Sequence, residues 1–112
     1  MNDYEFEAIF KQQIKLCEET LLKKGVEYSK EYDRLHNFKV AACLQNELPR
    51  QALGGMLAKH VVSIFDLINT PNLAQMSVWE EKIGDSLNYL FLLKAIIVEE
   101  QKEKNVKENR PV

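Results

Sequence analysis

Between Leu87 and Val98 the chain places Leu87, Leu90, Phe91, Leu92, Leu93, Ala95, Ile96, Ile97 and Val98, with only Asn88, Tyr89 and Lys94 among them. At about 100° per residue these side chains cover nearly the whole circumference of a helix. The segment opened by Pro49 repeats the pattern: Leu53, Met56, Leu57, Ala58, Val61, Val62, Ile64, Phe65, Leu67 and Ile68 leave one narrow polar stripe. A helix that is apolar all round has to be buried all round. A monomer of 112 residues cannot easily enclose two of them. The chain is therefore expected to be a homo-oligomer, with these helices forming part of the subunit interface. Gly54-Gly55 fits that expectation, because two glycines inside a helix are tolerable where another backbone or a ligand comes close.

The remaining pattern is also helical. Phe6, Ile9, Phe10, Ile14, Cys17 and Leu21 recur at spacings of three and four, after Asn2 or Asp3 as a cap. Lys23-Lys24-Gly25 is a stop signal. Residues 26–36 lack a period and are expected to connect. Asn37 can cap a short helix through Phe38, Val40, Ala41 and Leu44. Pro49 suits a first helical position, and Thr70-Pro71 ends that helix near Asn69. Ser77-Val78-Trp79-Glu80 has the form of a capping box before a long last helix, to about Glu103. No strand pattern is present. The expected fold is all-α, a bundle of about four helices, with residues 1–100 as a single domain and 101–112 as a charged, disordered tail.

Composition narrows the function classes. Net charge is −2 with scattered lysines and arginines, so the basic stripe of a nucleic-acid-binding domain is missing. Cys17 and Cys43 form no metal-type spacing and are expected to be reduced, buried thiols. The acidic start and the absence of a long apolar run point away from a signal peptide and a membrane span, and hence to a cytoplasmic protein.

Several polar residues interrupt surfaces that ought to stay apolar. Glu81, Asp85 and Asn88 share one face of the last helix, which continues as Leu92 and Ile96. Acidic groups at the mouth of a buried stripe require a cation, a basic side chain or a ligand. Two carboxylates one turn apart can hold Mg²⁺ together with water and substrate phosphates. On the Pro49 helix, Lys59 lies with Ser63 and Asp66 and can neutralise Asp85 or contact a phosphate. His60 points toward Leu53, Ile64 and Leu67, where a histidine is more often a core residue than a ligand. Glu27, Tyr28, His36 and Asn37 crowd the irregular segment, where a tyrosine can stack on a base and an asparagine can read its edge. Neither cysteine has a base placed beside it, and no phosphate loop or zinc motif occurs.

Four stretches in order carry a resemblance: Lys24-Gly25-Val26-Glu27-Tyr28, His36-Asn37-Phe38-Lys39-Val40-Ala41, Met56-Leu57-Ala58-Lys59-His60 and Glu81-Lys82-Ile83-Gly84-Asp85-Ser86-Leu87-Asn88-Tyr89. Over about residues 20 to 95 the chain resembles the small phage-encoded branch of the MazG-like all-α nucleotide pyrophosphohydrolase superfamily. The resemblance implies a dimer or tetramer, Mg²⁺, and cleavage of a nucleoside triphosphate to monophosphate and pyrophosphate. As an enzyme the chain would hold Mg²⁺ with Glu81 and Asp85, and Lys59 would stabilise the charge that builds on the phosphates. Glu27, Tyr28, His36, Asn37, Phe38, Lys59, His60, Asn88 and Tyr89 would line the ligand site. Asp85 matches the final Asp of the family's Glu-x-x-Asp. Position 82 is Lys82, with Glu81 one residue off, and Lys59-His60-Val61-Val62-Ser63 stands where a Glu-x-x-Glu is expected. Three functions remain open: Mg²⁺-dependent hydrolysis, sequestration of a nucleotide or cyclic-nucleotide immune signal, and a structural or protein-interaction bundle.

Overall fold

The computed structural model describes residues 1–24 and 33–109. Within them all regular elements are helices: α1 (Asp3–Glu18), continued by a π-helical turn Glu19–Lys24, α2 (His36–Gln45), α3 (Pro49–Asn69) and α4 (Met76–Glu108). The all-α expectation holds, and no helix among the described residues is long and apolar enough to cross a membrane. Glu27 and Tyr28 lie outside the described residues.

Local chemistry accounts for most helix ends. Asn2 caps α1: its side chain accepts from the Glu5 N–H at 2.8 Å, while the Glu5 carboxylate accepts from the Asn2 N–H at 3.3 Å. Pro49 opens α3, where Gln51 reaches back to accept from the Leu48 N–H at 2.8 Å. Thr70, held extended before Pro71, closes α3. Asn46 ends α2 in the left-handed conformation (φ 55°), and the Glu47 N–H then donates to the Ala42 carbonyl at 2.9 Å.

Three sequence expectations give way. Asn37 is not a cap; α2 begins one residue earlier, and Asp33 supplies the local acceptor by taking the Leu35 N–H at 2.9 Å. The Ser77–Glu80 capping box does not form, because α4 already begins at Met76 and puts Ser77 inside the first turn. The last helix, expected to end at about Glu103, runs on to Glu108. Extending an existing helix needs no new nucleus, and Lys104 faces Glu108 one turn on at 3.9 Å.

The core lies where α3 crosses α4 and α2 covers α3. Leu53 and Ile96 are its fully buried centre, joined by Leu35 and Phe38, with Met56, Leu57, Tyr89, Leu92 and Leu93 packed around them. Arg34 ties the start of this unit to the π-helical turn that continues α1, by donating to the Leu21 carbonyl. Lys39 bridges α2 to α4, with its ammonium 2.8 Å from Asp33 and 2.9 Å from Glu99. The hydrogen bond from Lys39, and then that from the Leu35 N–H, holds the Asp33 carboxyl below the usual carboxylate range. The Asp33 and Glu99 carboxylates in turn raise Lys39. Cys17 is buried, as expected; Cys43 is exposed, contrary to expectation.

The apolar surface is far from used up. Phe6, Ile9 and Phe10 at the free end of α1 are exposed, as are Val61, Val62, Phe65 and Ile68 on α3 and Ile83, Leu90, Phe91 and Val98 on α4. The accessible surface is 8982 Å², against about 6300 Å² for a compact monomer of this mass. The radius of gyration, 17.4 Å, likewise exceeds the ~13 Å of a compact chain of this length.

Leu53→Ala is expected to cost about 2–5 kcal/mol in urea unfolding. Leu44→Ala, on exposed surface, should stay within about 0.5 kcal/mol. The Asp33–Lys39 pair is half-exposed and screened, so its contribution is below about 1 kcal/mol. For the lowered Asp33 carboxyl that stability is present above its unfolded pKa of about 3.9 and is lost as pH falls through the lower folded value. For the raised Lys39 ammonium it is present below about 10.4 and is lost as pH rises through the higher folded value. Lys39→Met should therefore flatten both edges of the stability–pH curve.

Candidate functional site

The site is built where α1 meets the first half of α4. Gly84 is buried, and a Cβ there would lie 3.2 Å from Gln13 Nε2, so its bare backbone lets α1 come close. The Gln12 side chain donates to Glu80 at 3.3 Å beside this contact. Past the crossing, α1 gives way to its π-helical turn and the two elements separate. The opening is a cavity of about 270 Å³ lined by Leu16, Glu19 and Thr20 from α1 and its extension, and by Ser77, Glu80, Glu81, Gly84, Asp85 and Asn88 from α4.

The lining is acidic without compensation. Glu19, Glu80, Glu81 and Asp85 contribute four carboxylates, and among the described residues no lysine or arginine lines the cavity. Asn88 is only 7% exposed, and its Oδ1 accepts from no donor among the described residues. A carbonyl oxygen removed from water and left without a donor costs about 1–3 kcal/mol. Gln13 Nε2, above Gly84, is buried and unpaired as well.

Behind Asp85 stands an aromatic column. Phe38 meets Tyr89 edge-on, with centroids 6.1 Å apart, and Tyr89 lies under the His60 ring at 4.7 Å and 34°. His60 Nδ1 then faces Asp85 Oδ2 at 3.8 Å, beyond hydrogen-bond length but within reach of a charge pair when the imidazole is protonated. The partner of Asp85 is thus His60 and not Lys59. His60 does not stand among Leu53, Ile64 and Leu67 alone: it rests on Tyr89 because α3 and α4 cross with those positions level. Lys59 sits on the exposed side of α3 and makes no ion pair among the described residues. His36 is half-buried and Asn37 exposed at the start of α2.

Six sequence candidates thus fall together: Glu81, Asp85 and Asn88 at the cavity, and Tyr89, His60 and Phe38 in the column behind it. Leu16, Glu19, Thr20, Ser77 and Glu80 were not legible as site residues. Their roles depend on which turn of α4 receives α1, and on the widening of α1 into a π-turn, a feature that often accompanies functional sites. A larger open cleft, about 570 Å³, lies along the end of α4. Its charges largely answer one another, as in the Arg50–Glu100 pair at 2.5 Å, although the second Glu100 oxygen, Oε1, is buried and accepts from no donor among the described residues.

If Asn88 serves the fold, its loss should destabilise. If its oxygen waits for a ligand, Asn88→Leu should leave the urea midpoint unchanged or raise it, by up to about 1–3 kcal/mol, because an unpaired acceptor is removed.

The resemblance drawn from the sequence receives no support or contradiction from known proteins: no family model, curated protein or solved structure matches the chain.

Proposed function

We propose that the protein binds a nucleotide or nucleotide-derived ligand at the Asn88 cavity, in the manner of a MazG-like protein, with Mg²⁺ joining the ligand phosphates to Glu81 and Asp85. The observation that carries this reading is the buried, unpaired Oδ1 of Asn88, a residue that lines a cavity together with four carboxylates. The four carboxylates and the Asn88 oxygen accept hydrogen bonds and carry negative charge or dipole. A bare polyphosphate would be repelled. A hydrated divalent ion presents only O–H donors and positive charge, so it suits such a lining.

The donors fit a loosely held ion. Carboxylate oxygens are the hard ligands Mg²⁺ takes, and one or two of them usually suffice when water and phosphates complete the shell. Among the described residues no three His, Cys, Asp or Glu side chains converge as a metal cluster. Glu81 and Asp85 would therefore share the ion with its waters and with the ligand. When bound, Mg²⁺ supplies neutralisation of phosphate charge. The protein's own contribution is orientation: Asn88 accepts from a hydroxyl, amino group or bound water, and a protonated His60 adds positive charge beside Asp85. The stacked Tyr89 restricts where His60 can turn.

A specific observation favours sequestration over hydrolysis. The helix facing Asp85 presents Lys59-His60-Val61-Val62-Ser63 rather than a pair of carboxylates. Among the described residues, a nucleophilic water would lack the second half of a metal cage to activate it. Binding and release of an intact ligand, such as a nucleotide immune signal in a phage-infected cell, needs no such cage.

Equilibrium binding to a panel of nucleoside triphosphates and cyclic nucleotides, with Mg²⁺ and with chelator, tests the proposal. At least one ligand should bind with Mg²⁺, and Asp85→Asn or Asn88→Ala should weaken it at least tenfold while helix content is kept. Pyrophosphate release would assign hydrolysis; intact recovery would assign sequestration. No binding across the panel would refute both.

A further inference from the structure

We propose that the Asn88 cavity receives the base of its nucleotide, and that this base is adenine or cytosine, which carry an amino group beside a bare ring nitrogen. The inference rests on the ligand reading above and adds the base to it. Two groups of opposite sense point to it. Asn88 Oδ1 is an acceptor without a donor, and Gln13 Nε2 is a donor without an acceptor, both buried among the described residues. They belong to one place. Gln13 Nε2 lies 3.2 Å from where a Cβ on Gly84 would stand, and Asn88 follows Gly84 by one turn on the same face of α4. Gly84 and Asn88 both line the cavity.

An ionised phosphate cannot answer both groups. Its oxygens only accept, so it could meet Gln13 but never Asn88. A hydrated metal ion only donates, so it could meet Asn88 but never Gln13. A base edge carries donors and acceptors side by side and is the part of a nucleotide that satisfies the pair. In adenine the 6-amino group would donate to Asn88 while a ring nitrogen beside it accepts from Gln13. In cytosine the 4-amino group and its neighbouring ring nitrogen take the same parts. Along α4, Glu81 precedes Asn88 by roughly 10 Å. A base at Asn88 therefore leaves Glu81 and Asp85 for the metal-held phosphates, with the sugar between.

The other bases fit less well. Uracil, thymine and hypoxanthine offer a ring N–H, but a carbonyl oxygen stands where the amino group would be. An amino group has a second N–H, and Thr20 and Asp85, which line the cavity with Asn88, can accept it. A carbonyl in that position would face carboxylates and find no donor. Guanine places a ring N–H beside its amino group on the pairing edge, so Gln13 would meet a donor there. A site built to hydrogen-bond an N–H rejects an analogue that lacks it, because its own buried groups then stay unpaired.

Calorimetric titration of the full chain with Mg²⁺ and matched bases tests the assignment. Adenine is set against hypoxanthine and cytosine against uracil, with guanine as a further comparison, each as the 5′-triphosphate and as the 3′,5′-cyclic monophosphate. At least one amino form should bind at least about tenfold more tightly than its keto counterpart. Gln13→Glu exchanges the donor for an acceptor and should lower that preference at least about tenfold. Should Gln13→Glu fail to fold, deaza forms of the bound base serve with the unaltered protein. Replacing the ring acceptor by C–H should weaken binding at least about tenfold. Equal affinity for amino and keto forms, a tighter keto or guanine form, or binding indifferent to every deaza form would overturn the base assignment and leave the ligand reading standing. Absence of binding by every nucleotide would remove that reading, and the assignment with it.

Discussion

The packing of α3 against α4 through Leu53 and Ile96 fixes everything else in this protein. Both side chains are almost wholly buried, with Met56, Leu57, Tyr89, Leu92 and Leu93 packed around them. Their contact sets the height of one helix against the other. At that height Tyr89 comes beneath His60, and His60 comes opposite Asp85. A shift of one turn, about 5.4 Å, would separate all three. The greasy centre of the bundle and the polar cluster are therefore one structural fact, and loss of the first removes the second.

α4 does several tasks along a single length. Its first turns meet α1 and open an acidic cavity; its middle carries the core; its last turns extend alone as charged helix to Glu108. Such division needs a helix that changes the character of its faces as it runs. The stripe of Glu81, Asp85 and Asn88 becomes Leu92 and Ile96 at the point where α1 ends its contact and α2 and α3 take over. The acidic groups are kept there against the cost of crowding like charges and of burying an amide oxygen without a donor. That cost is the reason for assigning a ligand to the cavity.

What the sequence disclosed follows from periodicity. The span of α3 from Pro49 to Asn69 is marked by a proline at its start and another beyond its end. The Asn2 cap has its glutamate three residues on, and the shared face of Glu81, Asp85 and Asn88 is simple helical geometry. What it concealed depends on contacts between elements. His60 shares a face with Leu53, Ile64 and Leu67, so only the crossing of α3 and α4 shows that it meets Tyr89 and Asp85. Glu19 and Thr20 join the cavity through a π-turn that no residue pattern announces. The surplus of apolar residues was legible, but not its distribution. α3 and α4 each bury one side within the chain and leave the other open, where wheels alone could not separate the two.

The central claim is that the Asn88 oxygen lacks a donor because a ligand provides it. The most direct measurement is the side-chain amide resonance of Asn88 in ¹⁵N-labelled protein, followed as a pool of nucleotides with Mg²⁺ is added. The account predicts a saturable shift of that resonance, with slowed exchange of its N–H protons and coincident shifts at Asp85 and Glu81. An Asn88 resonance that stays fixed while the pool is raised to millimolar concentration would contradict it.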